Sequence, residues 1–125
     1  VKESYLRFGQ SKAPKYISWS GENRSQLIRI PAASGEYRRA ELRSPDPMAN
    51  PYLSYALLIY AGMYGIENKL DLPPAAEINF FKTDKTTARQ YKELPDTLEE
   101  AKALALKSSF ITGHLPQSII NIYCK

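Results

Sequence analysis

The chain has one cysteine, one histidine and one tryptophan among its 125 residues. With Cys124 alone no intrachain disulfide can form and nothing points to an oxidising compartment, so the cytoplasm is the expected location. His114 lies between Gly113 and Leu115 without partner ligands nearby in sequence, which favours a surface or packing role over metal binding. No apolar run reaches the roughly 20 residues that a membrane-spanning helix needs. The longest, Tyr52 to Ile66, is interrupted by Ser54 and reads as a buried helix. Val1-Lys2-Glu3-Ser4-Tyr5 lacks an initiator Met, an apolar stretch and a small-residue cleavage site, so a missing upstream region is expected rather than a signal peptide. Nine prolines and six glycines are scattered and no repeat recurs, which excludes solenoids, linkers and low-complexity tracts. What remains is one soluble globular unit, or part of one, with 43% hydrophobic residues.

The net charge of +4 is unevenly placed: residues 1–43 hold nine Lys/Arg against four Asp/Glu, and residues 44–125 hold eight against nine. A basic segment attracts nucleic acid, a membrane surface or a small anion, and charge alone does not choose among them.

Residues 14–44 read as strands joined by turns. Lys15-Tyr16-Ile17-Ser18-Trp19 is rich in aromatic and β-branched residues, Gly21-Glu22-Asn23 supplies a turn, and Leu27-Ile28-Arg29-Ile30 alternates until Pro31 stops it. Ser34-Gly35 marks another turn before Arg38 to Ser44 alternates again. Asn50-Pro51 predicts a helix start, with Asn as cap and Pro in the first helical position, running to about Asn68. Its apolar residues occur all round, which implies enclosure by other structure. Leu72 to Pro95, with Pro73-Pro74, reads as an extended surface connection. Thr97-Leu98-Glu99-Glu100 is a capping-box signature opening a helix to about Lys107, and Pro116 to Tyr123 predicts a short final helix.

On a strand, alternate residues share a face, so Arg39, Glu41 and Arg43 belong together while Arg38, Ala40 and Leu42 face the other way. Ordinary surface ion pairing also produces such a face. The surrounding motifs decide between the two. Asn23-Arg24-Ser25-Gln26-Leu27-Ile28-Arg29-Ile30-Pro31, then Glu41-Leu42-Arg43-Ser44-Pro45-Asp46-Pro47, then Asn50-Pro51-Tyr52-Leu53, resemble in order and spacing the NRS-x-x-IRIP, E-x-R-x-PDP and NPYL segments of bacterial type I glutamine synthetases. The resemblance is clear over most of residues 4–70, through Tyr16-Ile17-Ser18-Trp19-Ser20 and Gly65-Ile66-Glu67-Asn68-Lys69. It continues weakly through Leu98-Glu99-Glu100-Ala101.

The resemblance implies an α+β fold, the C-terminal part of a glutamine synthetase catalytic domain with antiparallel strands followed by helices, occupying residues 1–125. It implies an ATP-dependent ligase that joins glutamate and ammonia through a γ-glutamyl phosphate. It also implies a double-ring homo-oligomer (a dodecamer) in which a curved antiparallel sheet forms a funnel completed by a neighbouring subunit's N-terminal domain, with no nucleic acid or membrane partner. Such a fragment alone is expected to be inactive. Carried over to this sequence, Arg24, Arg29 and Arg39 match arginines that contact ATP and its phosphates. Arg7 and Arg43 match arginines that hold substrate glutamate, and Glu41 matches a ligand of Mg²⁺ or Mn²⁺, the family's other ligands coming from upstream sequence. Guanidinium groups suit this task because their planar fork fits carboxylate and phosphate edges and phosphoryl transfer concentrates negative charge. Arg24 and Arg29 are an odd number apart and cannot share one strand face, so Arg24 belongs in the preceding turn.

Three positions depart from the family pattern. Lys12 stands where a flap glutamate precedes Ala-Pro, in a stretch one residue shorter than usual. Glu36 stands where a lysine contacts ATP, and Phe81 stands where many members carry an adenylylated tyrosine, so that modification is expected to be absent. Lys12 brings in a rival, a ligase joining glutamate to another amine such as a polyamine, and a non-catalytic homologue is a further one. A nucleic-acid-binding module is the alternative from another class, resting on nine tyrosines and the basic first third. Tyr52, Tyr55, Tyr60 and Tyr64 cluster in the apolar helix, where core packing is the usual role.

Overall fold

Alternating apolar residues ahead of Pro31 form the middle strand of a small sheet, and Pro31, with no N–H to donate, ends it. The computed structural model describes residues 1–10 and 13–125. Its three strands, β1 (Trp19–Gly21), β2 (Ile28–Ile30) and β3 (Glu41–Leu42), lie side by side in that order. β2 and β3 run antiparallel, with Ile28 opposite Leu42 and Arg29 opposite Glu41. β1 runs parallel to β2, with Trp19 beside Ile28 and Ser20 beside Arg29. The expected antiparallel pairing therefore holds for one pair of strands, and the sheet is mixed. Residues 22–27 carry the chain back to the starting end of β1, and Glu22 turns the backbone there with a left-handed φ of 64°.

β1 starts later than the aromatic-rich segment predicts. Tyr16 instead bridges to Glu93, flanked by Ile17 N–H donating to Lys92 O and Leu94 N–H donating to Lys15 O, each at 2.8 Å. The stretch from Leu72 to Pro95 is thus more than a surface connection. It buries Ala76 and Ala88 and contains a short helix, α1 (Lys85–Ala88), started by Asp84, whose carboxylate accepts from the Thr87 N–H at 2.9 Å and the Thr87 hydroxyl at 2.8 Å.

The long helix, α2 (Pro51–Glu67), has the predicted bounds: Asn50 Oδ1 accepts from the Tyr52 and Leu53 amides, and the helix ends at Asn68. α3 (Leu98–Lys107) starts at Thr97, whose hydroxyl accepts from the Glu100 N–H at 3.1 Å. The Glu100 carboxylate reaches back to the Asp96 N–H, one residue earlier than in the usual capping box. α4 (Ser109–His114) is an element that the sequence reading does not contain; Ser108 ends α3 and its hydroxyl starts α4 by accepting from the Ile111 N–H. α5 (Gln117–Cys124) is the predicted final helix.

The buried interior of the described residues is small and partly polar, comprising Ala13, Pro14, Leu27, Pro31, Ala76, Ala88 and Ile120 together with Ser20, Ser25 and Gln26. α2 buries none of its residues, and Tyr52, Tyr55, Tyr60 and Tyr64 are all exposed. The described residues therefore do not supply the enclosure that its all-round apolar surface predicts. No helix among the described residues is long and apolar enough to cross a membrane.

Candidate functional site

Antiparallel register puts Arg29 on β2 directly opposite Glu41 on β3. Arg29 Nη1 donates to both Glu41 oxygens, at 3.1 and 2.9 Å, while its Nε donates to the Glu22 carbonyl at 3.0 Å and its Nη2 lies 3.9 Å from the Glu22 carboxylate. With its side chain only 15% exposed, Arg29 is committed on all sides to its own chain. Arg39 Nη2 lies 3.5 Å from Glu41 Oε1, its side chain 55% exposed, and its Nη1 donates to the Tyr37 carbonyl at 3.3 Å. The guanidinium of Arg43 donates to the Arg24 carbonyl. Arg39 and Arg43 thus lie near Glu41, although the regular strand covers only Glu41–Leu42 of the 38–44 stretch that the alternation predicts.

Electrostatics follow from this arrangement. The hydrogen bond from Arg29 holds the Glu41 carboxyl below the ordinary carboxylate range against the opposing effect of burial, and the charges of Arg29, Arg39 and Arg43 add to it. Burial lowers Arg43, Glu41 opposes that, and repulsion from Arg24 and Arg29 reinforces it.

Arg24 lies in the turn between β1 and β2, exposed, as its spacing from Arg29 requires. Arg7, at the end of a short 3-10 turn (Lys2–Arg7), donates to the Ser44 carbonyl and lies 4.0 Å from Asp46. Its guanidinium carbon sits 5.3 Å from the centroid of the Phe8 ring. It lines a cleft of about 320 Å³ together with Tyr5, Ser44 and Asp46, against the segment that leaves β3. The structure therefore gathers Arg24, Arg29, Arg39, Glu41 and Arg43 around the sheet and sets Arg7 on the neighbouring 44–46 segment. Lys12 lies outside the described residues. Glu36 is exposed in a 3-10 turn (Gly35–Tyr37), and Phe81 is exposed just after Asn79.

Among the described residues no group of three or more His, Cys, Asp or Glu side chains can hold a metal ion. Glu41 offers one carboxylate, and divalent magnesium requires near-octahedral oxygen coordination, so these residues alone do not make a metal site. His114 packs as predicted: its Nδ1 is 2.7 Å from the Phe110 carbonyl and its ring lies 4.6 Å from Tyr60 and 4.4 Å from Phe110. A cluster of guanidiniums around one carboxylate is suited to anions with several oxygens, such as phosphates and carboxylates. Sequence reasoning missed Glu22, which grips Arg29 from behind. The Asn23-x-Ser25 turn signature was the available signal for the loop beside it.

The sequence pattern of the family described as glutamine synthetase, catalytic domain, matches residues 2–125. A glutamine synthetase of Methanosarcina mazei is 45% identical over 126 residues, covering 98% of this chain and 28% of the relative. One of Thermus thermophilus is 44% identical over 110 residues, 86% of this chain and 25% of the relative. One of Staphylococcus epidermidis is 40% identical over 124 residues, 97% of this chain and 28% of the relative. The chain thus spans at most 28% of the length of these curated relatives.

Proposed function

The chain belongs to the glutamine synthetase catalytic-domain family, and from that premise we propose that it is part of an ATP-dependent ligase that makes glutamine from glutamate and ammonia. The observation that carries this reading is the Arg29–Glu41 pair opposed across β2 and β3, with Arg39 and Arg43 near the same carboxylate.

In the proposed reaction a γ-carboxylate oxygen of glutamate attacks the terminal phosphorus of ATP. The bond from that phosphorus to the bridging oxygen breaks, and ADP leaves with the electron pair. Ammonia then attacks the acyl carbon of γ-glutamyl phosphate, inorganic phosphate departs, and the nitrogen loses a proton. Both steps gather negative charge, and preorganised cations stabilise it without reorganising at the moment of reaction. Arg24 and Arg39, whose side chains reach solvent, are the candidate contacts of the ATP phosphates. Arg29 holds Glu41 in one orientation and adds a third positive charge. Arg43 and Arg7 are the candidate holders of substrate glutamate. Glu41 would give one oxygen to Mg²⁺ or Mn²⁺, which when bound supplies charge neutralisation at the phosphates, and the remaining ligands would come from outside the described residues. A double-ring homo-oligomer and a cytoplasmic location belong to the same proposal.

The test is ammonia-dependent release of phosphate from ATP and glutamate, with Mg²⁺ present, by a protein carrying this chain together with the upstream sequence its relatives possess. Release that disappears in Glu41→Ala is the expected result. Release with a polyamine but not with ammonia would make the protein a ligase of another amine, and no release with any amine would make it a non-catalytic homologue.

A further inference from the structure

The loop of residues 22–27 carries Arg24 on its outside and Asn23, Ser25 and Gln26 on its inside, with Ser25 1% and Gln26 0% exposed. The chemistry above uses none of these three. All three bond to one stretch of backbone fifty or more residues away. Asn23 Nδ2 donates to the Ile78 carbonyl at 2.8 Å, and Gln26 Nε2 donates to that same carbonyl at 2.7 Å and to the Ala76 carbonyl at 3.1 Å. The Phe80 N–H donates to Ser25 Oγ at 3.0 Å, and Asn23 Oδ1 closes the loop by accepting from the Ser25 N–H and hydroxyl, each at 2.9 Å. β1 grips the same stretch: the Ala76 N–H donates to the Trp19 carbonyl at 2.8 Å, and Trp19 Nε1 donates to the Pro73 carbonyl at 2.7 Å.

The orientation of this network is determined by its chemistry. Turning the Gln26 amide over would set Oε1 against two carbonyl oxygens, so the donor side must face residues 76–78. Oε1 itself, buried, meets no partner among the described residues. Breaking the bonds of Gln26 strands a buried amide, which costs more than the net value of a satisfied bond. The loop therefore has one favoured shape. That shape presents the Arg24 side chain outward and its carbonyl to the Arg43 guanidinium, so two of the candidate site arginines depend on it.

We infer that Asn23, Ser25 and Gln26 are positioning residues, which clamp the Arg24 loop onto residues 76–80 and so orient Arg24 and Arg43 toward anionic substrates. The inference rests on the proposed reading of Arg24 as an ATP contact. ATP affinity, measured by titration calorimetry on the full-length protein without turnover, separates a positioning role from a merely structural one through a double-mutant cycle. Asn23→Ala weakens ATP binding by about tenfold in the unsubstituted protein and by less than about twofold in Arg24→Ala, because the clamp acts through Arg24. Asn23→Ser, which keeps a local turn acceptor but is too short to reach Ile78, serves in its place if Asn23→Ala does not fold, as judged by thermal unfolding. An equal weakening in both backgrounds, or none in either, overturns the clamp while leaving the ATP reading intact. Failure of the unsubstituted protein to bind ATP removes that reading and the clamp with it.

Discussion

Residues 22–27 have no regular secondary structure beyond turns, yet two of their polar side chains, those of Ser25 and Gln26, are almost wholly buried. α2 is seventeen residues of regular helix and buries none. The loop is held by directional bonds from side chains to distant backbone, each with its partner within the chain. The helix is held by its local ladder and its Asn50 start, while Tyr52, Tyr55, Ile59 and Ile66 remain 85%, 67%, 65% and 72% exposed. Regularity and enclosure are thus separate properties. The loop beside the candidate site finds its partners within the chain, and the long helix offers apolar surface that the described residues do not cover.

The sheet half breaks most severely at Arg29. Arg29→Met in the full-length protein removes the donor to both Glu41 oxygens while keeping an apolar stem of similar length, and the proposed ammonia-dependent phosphate release falls by about a hundredfold or more, the scale of losing one preorganised charge-stabilising group. A loss below about tenfold, with normal folding, would show that Glu41 needs no such tether.

The helical half is tested on the 125-residue chain itself. Its exposed apolar helix binds an environment-sensitive dye such as anilinonaphthalene sulfonate and drives association, since contiguous apolar patches beyond a few hundred Å² are rare on soluble monomers. Pairing Tyr55→Glu with Ile59→Glu lowers dye fluorescence several-fold and shifts gel filtration toward the 14.2 kDa monomer. Unchanged fluorescence would locate the sticky surface elsewhere. A smaller effect belongs to Asn50→Ala, which loses the acceptor of the Tyr52 and Leu53 amides and the Nδ2 bond to the Tyr123 hydroxyl on α5. It lowers stability by about 1 kcal/mol, read from the urea midpoint.

The same contrast governs what the sequence reveals. α2 is legible almost to the residue because an Asn cap and a proline in the first position act within four residues. The nearness of Arg39 and Arg43 to Glu41 is legible from strand periodicity, although the strand itself is shorter than that periodicity predicts. Arg29's commitment to Glu41 and Glu22 is not legible in this way, because strand register and the left-handed bend at Glu22 decide it. The grip of residues 23–26 on residues 76–80 is hidden because its partners lie 50 to 55 residues apart, and the parallel course of β1 because the bend at Glu22 and the loop after it decide the return. α4 escapes notice because a single residue, Ser108, ends one helix and begins the next. The family resemblance supplies roles for the arginines, and the geometry then distinguishes the one tied inward, Arg29, from those that reach solvent, Arg24 and Arg39.

The smallest expected effect contrasts two carboxylates, both depressed, by different means. Glu41 is lowered first by its hydrogen bond from Arg29, with neighbouring arginine charges adding to it, and Asp84 first by the Thr87 N–H and then by the Thr87 hydroxyl. A carboxyl whose pKa is lower in the folded than in the unfolded chain contributes stability that is complete above the unfolded value and lost as pH falls through the folded one. Each group therefore steepens the loss of stability on acidification below the ordinary carboxylate range, and Glu41→Gln and Asp84→Asn each flatten that limb in urea midpoints taken from about pH 7 to about pH 3. Salt separates them. The part of the Glu41 contribution that comes from neighbouring guanidinium charges shrinks at about 1 M salt, where the screening length is only about 3 Å, whereas the Asp84 contribution comes from neutral donors within hydrogen-bond reach and changes less. Equal salt sensitivity in the two variants would mean that the arginines around Glu41 act as hydrogen-bond donors more than as charges, and a bonded network rather than a field of cations would then be what the sheet presents to an anion.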